Sequence, residues 1–187
     1  MKFLPISINL TNKKILIIGG SNIANQKLNN ILPFTKNITI ISPIIIKELK
    51  KTINKYSLKY IKREYEKSDI KNYDIIINAT SNLKLQKNIY IQSRNHKCLY
   101  NCVDIKEYCD FILNSYIKKD KLTISINTNG NSPSIAKELK IYIDKLLPKS
   151  LENFFIKMKN YRKKYPKGIK RQEKIRQKVK KYFSKLN

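Results

Sequence analysis

The sequence predicts an α/β fold in which helices cover both faces of a parallel sheet. Short apolar runs alternate with longer segments of helical spacing through the N-terminal half of the chain. This rhythm is typical of repeated strand–helix–strand units. The first apolar run, Ile15–Ile18, leads directly into Gly19 and Gly20 and then into a helix-compatible segment. Such a junction is typical of a strand-to-helix turn that binds a phosphate group.

Each element of this unit has its own signal, either a short apolar run bounded by turn residues or a longer amphipathic stretch. Right-handed crossovers place the carboxyl ends of the central strands along one rim, where ligands bind in such sheets. Those ends fall at Gly19, Ser42, Thr80 and Asp104. We predict strands at Phe3–Leu10, Ile15–Ile18, Ile38–Ile41, Leu58–Ile61, Tyr73–Ala79 and Cys98–Val103, and helices at Asn22–Leu32, Ile44–Ile53 and Leu83–Asn95.

The rhythm changes after Asp110. A strand is predicted at Leu122–Ile126, followed by a loop that ends in Ser132-Pro133, which is a strong helix-start signal. Amphipathic segments then predict helices at Ser134–Leu147, Leu151–Tyr161 and Lys170–Phe183.

The composition limits the class of protein. The chain has 187 residues and a formal net charge of +27, and its lysines are spread along the whole sequence, with the highest density after Lys157. This charge leaves a basic nucleic-acid-binding protein open as an alternative and indicates a polyanionic partner. No apolar run has membrane-spanning length and no signal peptide is evident, so we expect a cytoplasmic protein. The three cysteines have no paired spacing that would predict a disulfide framework or a metal site.

Candidate chemistry lies on the predicted rim. Gly19 and Gly20 allow the backbone to approach a pyrophosphate at the start of a helix. The second strand ends in Ser42 rather than in an acidic residue that would bind a ribose hydroxyl, so its pattern does not separate NAD from NADP. Asp104 follows an apolar strand and is a candidate proton acceptor, with a loop or cap aspartate as the alternative. Asp110 is a weaker candidate.

Taken together and in order, these motifs resemble the precorrin-2 dehydrogenase / sirohydrochlorin ferrochelatase family over roughly residues 1–150. The motifs that carry the resemblance are Leu4-Pro5-Ile6, Gly19-Gly20-Ser21-Asn22-Ile23-Ala24, Ser42-Pro43, Asn78-Ala79-Thr80, Asn101-Cys102-Val103-Asp104, Cys109-Asp110-Phe111 and the run from Thr128 to Lys137.

The resemblance implies a fold and an activity. It implies a Rossmann-like NAD-binding domain over residues 1–112, a dimerisation segment over 113–147 that is exchanged in a homodimer, and a small helical, basic C-terminal domain over 148–187. Members oxidise precorrin-2 to sirohydrochlorin with NAD, and many then insert Fe²⁺. Both tetrapyrroles are polycarboxylates, which a basic protein suits.

The resemblance also assigns roles to residues of this sequence. It makes Asp104 catalytic and predicts no protein-bound metal. It assigns cofactor binding to Gly19, Gly20, Ser21, Asn22, Ile23, Ser42, Pro43, Ile44 and Thr80, and substrate binding to Thr128, Asn129, Gly130 and Ser132.

Two departures from the family pattern bear on the activity. Ser21 stands where a third glycine is usual, and Asn127-Thr128-Asn129 replaces a loop richer in serine and glycine. These departures put the chelatase step in question more than the dehydrogenase step. A relative that binds NAD without turnover is a further alternative.

Overall fold

The computed structural model describes residues 3–129 and 131–185, and the chain divides into two compact units. The first unit ends at Leu113 and the second begins at Asn114. This division falls one residue from the predicted end of the NAD-binding domain, while the subdivision of the remainder at residue 147 stays a prediction.

The first unit is built on a parallel sheet of five strands. The strands are β1 (Ile15–Ile18), β2 (Ile38–Ile41), β3 (Lys59–Ile61), β4 (Ile75–Asn78) and β5 (Leu99–Cys102), in the order β3-β2-β1-β4-β5. The last residue of β1, Ile18, pairs with Ile41 on one side and Asn78 on the other. The strands therefore end level with one another, and the loops that follow them meet at one rim.

Helices cover both faces of this sheet. They are α1 (Asn22–Ile31), α2 (Lys47–Tyr56) and α3 (Leu83–Arg94), with short 3₁₀ turns at Lys67–Asn72 and Lys106–Tyr108. The side chains of β1 alternate between two apolar layers, since Ile15 and Ile17 pack with α1 and α2 while Leu16 and Ile18 pack with α3. All four β1 residues are buried, as expected for a central parallel strand.

The second unit begins with an antiparallel hairpin and continues as three helices. The hairpin is formed by β6 (Ser115–Lys119) and β7 (Leu122–Ile126), and its turn places Asp120 at a positive φ of 44°. The helices are α4 (Pro133–Leu146), α5 (Leu151–Lys164) and α6 (Ile169–Phe183). Helices α5 and α6 pack through the stacked rings of Phe154 and Tyr182, whose centroids are 4.0 Å apart.

The predicted α/β class, with its parallel sheet and C-terminal helices, is confirmed, but two predictions are wrong. Phe3–Leu10 is not a strand: its alternating apolar residues find no neighbouring strand, and Leu4 and Ile6 are 81% and 70% exposed. Helix α2 begins at Lys47 rather than at Ile44. Hydrogen bonds hold the loop that precedes Lys47 in a non-helical conformation, so the helix cannot start earlier. Strand β6 was not predicted.

None of the helices in the described ranges combines the length and the apolar character that a membrane span requires.

Candidate nucleotide-binding and catalytic site

The carboxyl ends of β1, β2, β4 and β5 surround a cavity of 540 Å³. This volume lies within the usual range of sites for cofactors and other small molecules. The predicted rim is therefore present. The predicted site residues that line the cavity are Gly19, Gly20, Ser21, Ile23, Ser42, Pro43, Thr80 and Asp104.

The turn after β1 requires both of its glycines. Gly19 has a φ of +119°, and a Cβ there would lie 2.8 Å from the Ala79 carbonyl oxygen. A Cβ on Gly20 would lie 1.9 Å from the carbonyl oxygen of Ile44, so this position cannot hold a side chain without moving the backbone. The turn consequently presents bare backbone to the cavity, as a pyrophosphate site needs.

Helix α1 starts at this turn with its first N–H groups uncapped by a side chain. Ser21 is the N-cap residue and makes no side-chain capping hydrogen bond. The first N–H groups of a helix have no partner within the helix, and they lie at the positive end of its dipole. Together with the bare glycine turn, this arrangement fits the pyrophosphate of a dinucleotide, and Ser21 leaves its hydroxyl available to donate to it.

The loop after β2 is held against the glycine turn. The Ser42 hydroxyl donates to the Ile44 carbonyl at 2.6 Å, and the Ile46 N–H donates to the Gly20 carbonyl at 2.9 Å. Ser42 and Pro43 line the cavity, whereas Ile44 contributes through its backbone and lies outside the lining. Asn22, the first residue of α1, is also outside the lining.

At the end of β4, Asn78 organises the rim. Its buried side-chain oxygen accepts hydrogen bonds from the N–H of Thr80 at 3.1 Å and from the Thr80 hydroxyl at 2.8 Å. The Thr80 hydroxyl donates inward, so its oxygen can still accept a hydrogen bond from a ligand in the cavity.

Asp104 lies just beyond β5, exposed at the cavity wall. Its Oδ2 accepts a hydrogen bond of 2.6 Å from Nε2 of Gln86, which is fully buried on α3. Sequence reasoning missed Gln86. The available signal was a glutamine within the buried stripe of α3, whose other buried members are Ile89 and Ser93.

The charge that lines this cavity is opposite in sign to that of the chain as a whole. In a protein with a formal charge of +27, the only charged side chains lining the cavity are Glu64 and Asp104, as far as the described residues go. Sequence reasoning did not find Glu64, which follows β3, and nothing in its local pattern marks it as a ligand.

Asp110, the weaker candidate, has a structural role. It accepts two hydrogen bonds from the Arg94 guanidinium, at 2.8 and 2.5 Å, and a third from the backbone N–H of Tyr100 at 2.9 Å. These bonds tie the end of α3 to β5, and the neighbouring carboxylate raises the pKa of Arg94.

The three cysteines are free and buried. The Sγ atoms of Cys102 and Cys109 lie 3.8 Å apart, and the Cys109 sulfur also accepts from the Cys102 N–H at 3.3 Å. The hydrogen bond between the two thiols and the one from the Cys102 N–H lower the pKa of Cys109, while the pKa of Cys102 is raised. Burial raises the pKa of Cys98.

The predicted substrate residues belong to the second unit, in the loop between β7 and α4. Ser132 caps α4, since its hydroxyl accepts from the Ile135 N–H at 3.4 Å, and Pro133 follows as the first helical residue. The Thr128 hydroxyl donates to the Ser132 carbonyl at 3.2 Å, and Asn129 has a positive φ of 51°. Gly130 lies outside the described residues. The helix start is thus confirmed, whereas the substrate role stays a prediction.

Comparison with known proteins places this site in a family. A family model described as "Putative NAD(P)-binding" matches residues 6–115. The precorrin-2 dehydrogenase of Bacillus subtilis (strain 168) is 36% identical over 144 residues, which cover 77% of this chain and 88% of that protein. The chain belongs to the precorrin-2 dehydrogenase family.

Longer members of this family match over part of their length. The siroheme synthase of Blochmanniella pennsylvanica (strain BPEN) is 34% identical over 81% of this chain, but the match covers 31% of that protein. The chain therefore spans about a third of the siroheme synthases that it matches. A solved structure described as "SirC, precorrin-2 dehydrogenase" has the same fold, with a TM-score of 0.78 and 19% identity over 92% of this chain and 86% of that one.

Membership of this family supports a pyridine nucleotide as the cofactor class, and the uncapped α1 terminus beside the glycine turn fits the pyrophosphate of such a cofactor.

Proposed function

We propose that this chain oxidises precorrin-2 to sirohydrochlorin, with NAD⁺ as the hydride acceptor and with release of a proton. The observation that carries this proposal is the coincidence, in one cavity, of a bare glycine turn at a helix start and an exposed carboxylate, within a chain 36% identical to a precorrin-2 dehydrogenase. The bound nicotinamide ring supplies the hydride acceptor.

The residues of this chain have four roles in the proposed reaction. Gly19 and Gly20, with the start of α1, bind the pyrophosphate, while Ser42 and Pro43 flank the adenosine half. Thr80 lies beside the dinucleotide. Asp104 accepts the proton that the macrocycle releases as the hydride leaves, because a carboxylate at the cavity wall can reach a ring bound there.

The charges in the cavity support NAD rather than NADP. The additional 2′-phosphate of NADP is usually matched by an arginine, whereas an acidic residue binds the free 2′-hydroxyl of NAD. The lining contains Glu64 and, among the described residues, no lysine or arginine. Glu64 would disfavour a 2′-phosphate by charge repulsion.

We also propose that the protein acts as a homodimer formed through the second unit. Ile135, Leu139, Tyr142 and Leu146 recur at helical spacing on α4 and are 56%, 41%, 63% and 64% exposed. An apolar stripe of this kind is typical of a protein–protein interface. The proposed macrocycle-binding loop, Thr128–Ser132, immediately precedes this helix.

The experiment is an anaerobic assay with precorrin-2 generated in situ and NAD⁺, without added metal, in which the absorbance of NADH and of sirohydrochlorin is followed. We expect one NADH for each sirohydrochlorin formed, and a kcat at least about 100-fold lower for Asp104→Asn. Exclusion of air removes the uncatalysed oxidation. NAD⁺ binding without turnover would instead identify a binding relative.

Metal insertion is tested in the same mixture after the oxidation is complete. Addition of Fe²⁺ gives the siroheme absorbance if the chain also carries the chelatase step implied by the resemblance. A rate equal to that without protein would restrict the activity to the dehydrogenation.

A further inference from the structure

The side chain of Gln86 joins the ends of two strands at the catalytic rim. Its Nε2 donates to the Thr80 carbonyl oxygen, beyond β4, at 2.8 Å and to Asp104 Oδ2, beyond β5, at 2.6 Å. Both partners are acceptors, so the nitrogen rather than the oxygen of the amide must face them. The orientation of the amide is therefore fixed by the rim itself.

The backbone of Gln86 is also held in place. The Tyr100 hydroxyl donates to the Gln86 carbonyl at 2.9 Å and accepts from Asn78 Nδ2 at 3.2 Å. Asn78 in turn binds Thr80. A closed buried network of this kind restricts the side chains that take part in it.

Gln86 has a feature that packing alone does not explain. Its Oε1 is buried and has no hydrogen-bond partner among the described residues. A buried polar atom without a partner opposes folding, and an apolar residue of the same size would avoid it. A cost of this kind is typical of functional sites.

We propose that Gln86 is a positioning residue for the reaction. It holds the Asp104 carboxylate at the cavity wall through the hydrogen bond from its amide, in the orientation from which the carboxylate accepts the proton. This inference rests on the proposed function of Asp104, and the experiment below separates the two.

Three substitutions test whether the reaction needs the Gln86 amide as a hydrogen-bond donor. Gln86→Met keeps the length of the side chain and removes the amide, Gln86→Glu keeps the shape and replaces the donor with a carboxylate, and Gln86→Asn retains a shorter amide. Ser93→Ala is the matched control, because Ser93 is also buried on α3 and donates to the Tyr90 carbonyl. It is outside the cavity lining.

We expect kcat to fall about tenfold or more in Gln86→Met, and further in Gln86→Glu, while KM for NAD⁺ changes less than twofold. Gln86→Asn recovers part of kcat.

A purely structural role predicts a different pattern. It predicts a lower melting temperature for Gln86→Met, with kcat reduced only as far as folded protein is lost. The positioning role predicts that kcat falls in fully folded protein, by more than any loss of the folded fraction accounts for. A kcat equal to that of the wild type in both Gln86→Met and Gln86→Glu would overturn the inference.

The proposed function can fail independently of the inference about Gln86. If Asp104→Asn retains full activity, or if the wild type does not turn over, the assignment of Asp104 fails, and the link to Gln86 is then measured without turnover. The ¹³C carboxylate chemical shift of labelled Asp104, measured at neutral pH, should differ between Gln86→Met and the wild type, because the variant lacks the amide that donates to the carboxylate. Identical chemical shifts would show that Gln86 does not act on Asp104.

Discussion

The two units of this chain bury their apolar side chains to very different extents. The first unit has two continuous apolar layers around β1, and Leu16, Ile17, Ile40 and Ile76 are completely buried. In the second unit the buried hydrophobic residues, within the described ranges, are Ile117, Ala136 and Leu151. The first unit therefore completes its own core, whereas the second unit leaves apolar side chains of α4 exposed, which the proposed dimer would cover.

The largest expected effect is that of placing a side chain at Gly20 in the first unit, compared with a side chain at Gly168 in the second. Gly20→Ala should lower the free energy of unfolding by about 3 kcal/mol, because its Cβ would overlap the Ile44 carbonyl. It should also abolish NAD⁺ binding, since the backbone of the phosphate turn must move. Thermal unfolding and calorimetric titration with NAD⁺ measure the two effects.

Gly168→Ala is the matched control for this substitution. Gly168 has an extended backbone, with a φ of 162°, and a Cβ there would meet nothing within 4 Å. We expect unchanged NAD⁺ binding and a melting temperature within about 1 °C of the wild type. If Gly20→Ala and Gly168→Ala lowered the melting temperature equally, the proposed difference between the two glycines would be wrong.

The next effect concerns the apolar stripe of α4. Leu139→Glu should weaken the proposed dimer by about 2 kcal/mol or more, which is a factor of about 30 in the dissociation constant, because a charge would be buried at the interface. Sedimentation velocity over a range of concentrations measures the shift. Lys137→Gln, which is also on an exposed part of α4, lowers the net charge by the same single unit and controls for the change in charge.

A monomeric wild type would contradict the interpretation of this stripe. In that case the exposed side chains of α4 would require another partner, and the contrast between the two units would remain without the dimer as its explanation.

The central strands of the first unit could be predicted from the sequence for a physical reason. Strands β1, β2 and β4 are buried on both faces, so their apolar runs and the glycine turn specify them locally. Phe3–Leu10 has the alternation of a strand but no neighbouring strand, and alternation cannot reveal whether a partner exists. Gln86 and Glu64 reach the site only through the folding of α3 and of the segment after β3.

The third prediction concerns an ion pair within the first unit. Asp69 is 9% exposed and accepts hydrogen bonds from Arg63 at 2.8 and 2.7 Å and from the Glu66 N–H at 2.9 Å. The Arg63 hydrogen bonds lower the pKa of Asp69. Asp69→Asn should cost about 2 kcal/mol at neutral pH.

The pH dependence of this loss has a definite sign. Because the pKa is lower in the folded state than its ordinary value near 4, the contribution is complete above that value and disappears as the pH falls through the folded-state pKa. The difference between wild type and Asp69→Asn in urea unfolding should therefore shrink below about pH 4. A difference that is constant with pH would exclude the ion pair as its cause.

The smallest effect concerns the acidic lining of the cavity. Glu64→Gln should improve NADP⁺ binding about threefold to tenfold, because it removes a negative charge beside the proposed position of the 2′-phosphate, where exposure to water weakens the repulsion. NAD⁺ binding should weaken slightly, because a neutral amide oxygen replaces the charged carboxylate as the acceptor for the ribose hydroxyl. Glu66→Gln is the control, since Glu66 is exposed on the same segment but lies outside the lining.

The ratio of the dissociation constants for NADP⁺ and NAD⁺, measured at low and at high salt, distinguishes repulsion by Glu64 from a general effect of net charge. If this ratio changes equally in both variants, the preference for NAD⁺ over NADP⁺ comes from the overall electrostatic field of the protein. If it changes only in Glu64→Gln, the preference comes from the rim of the first unit.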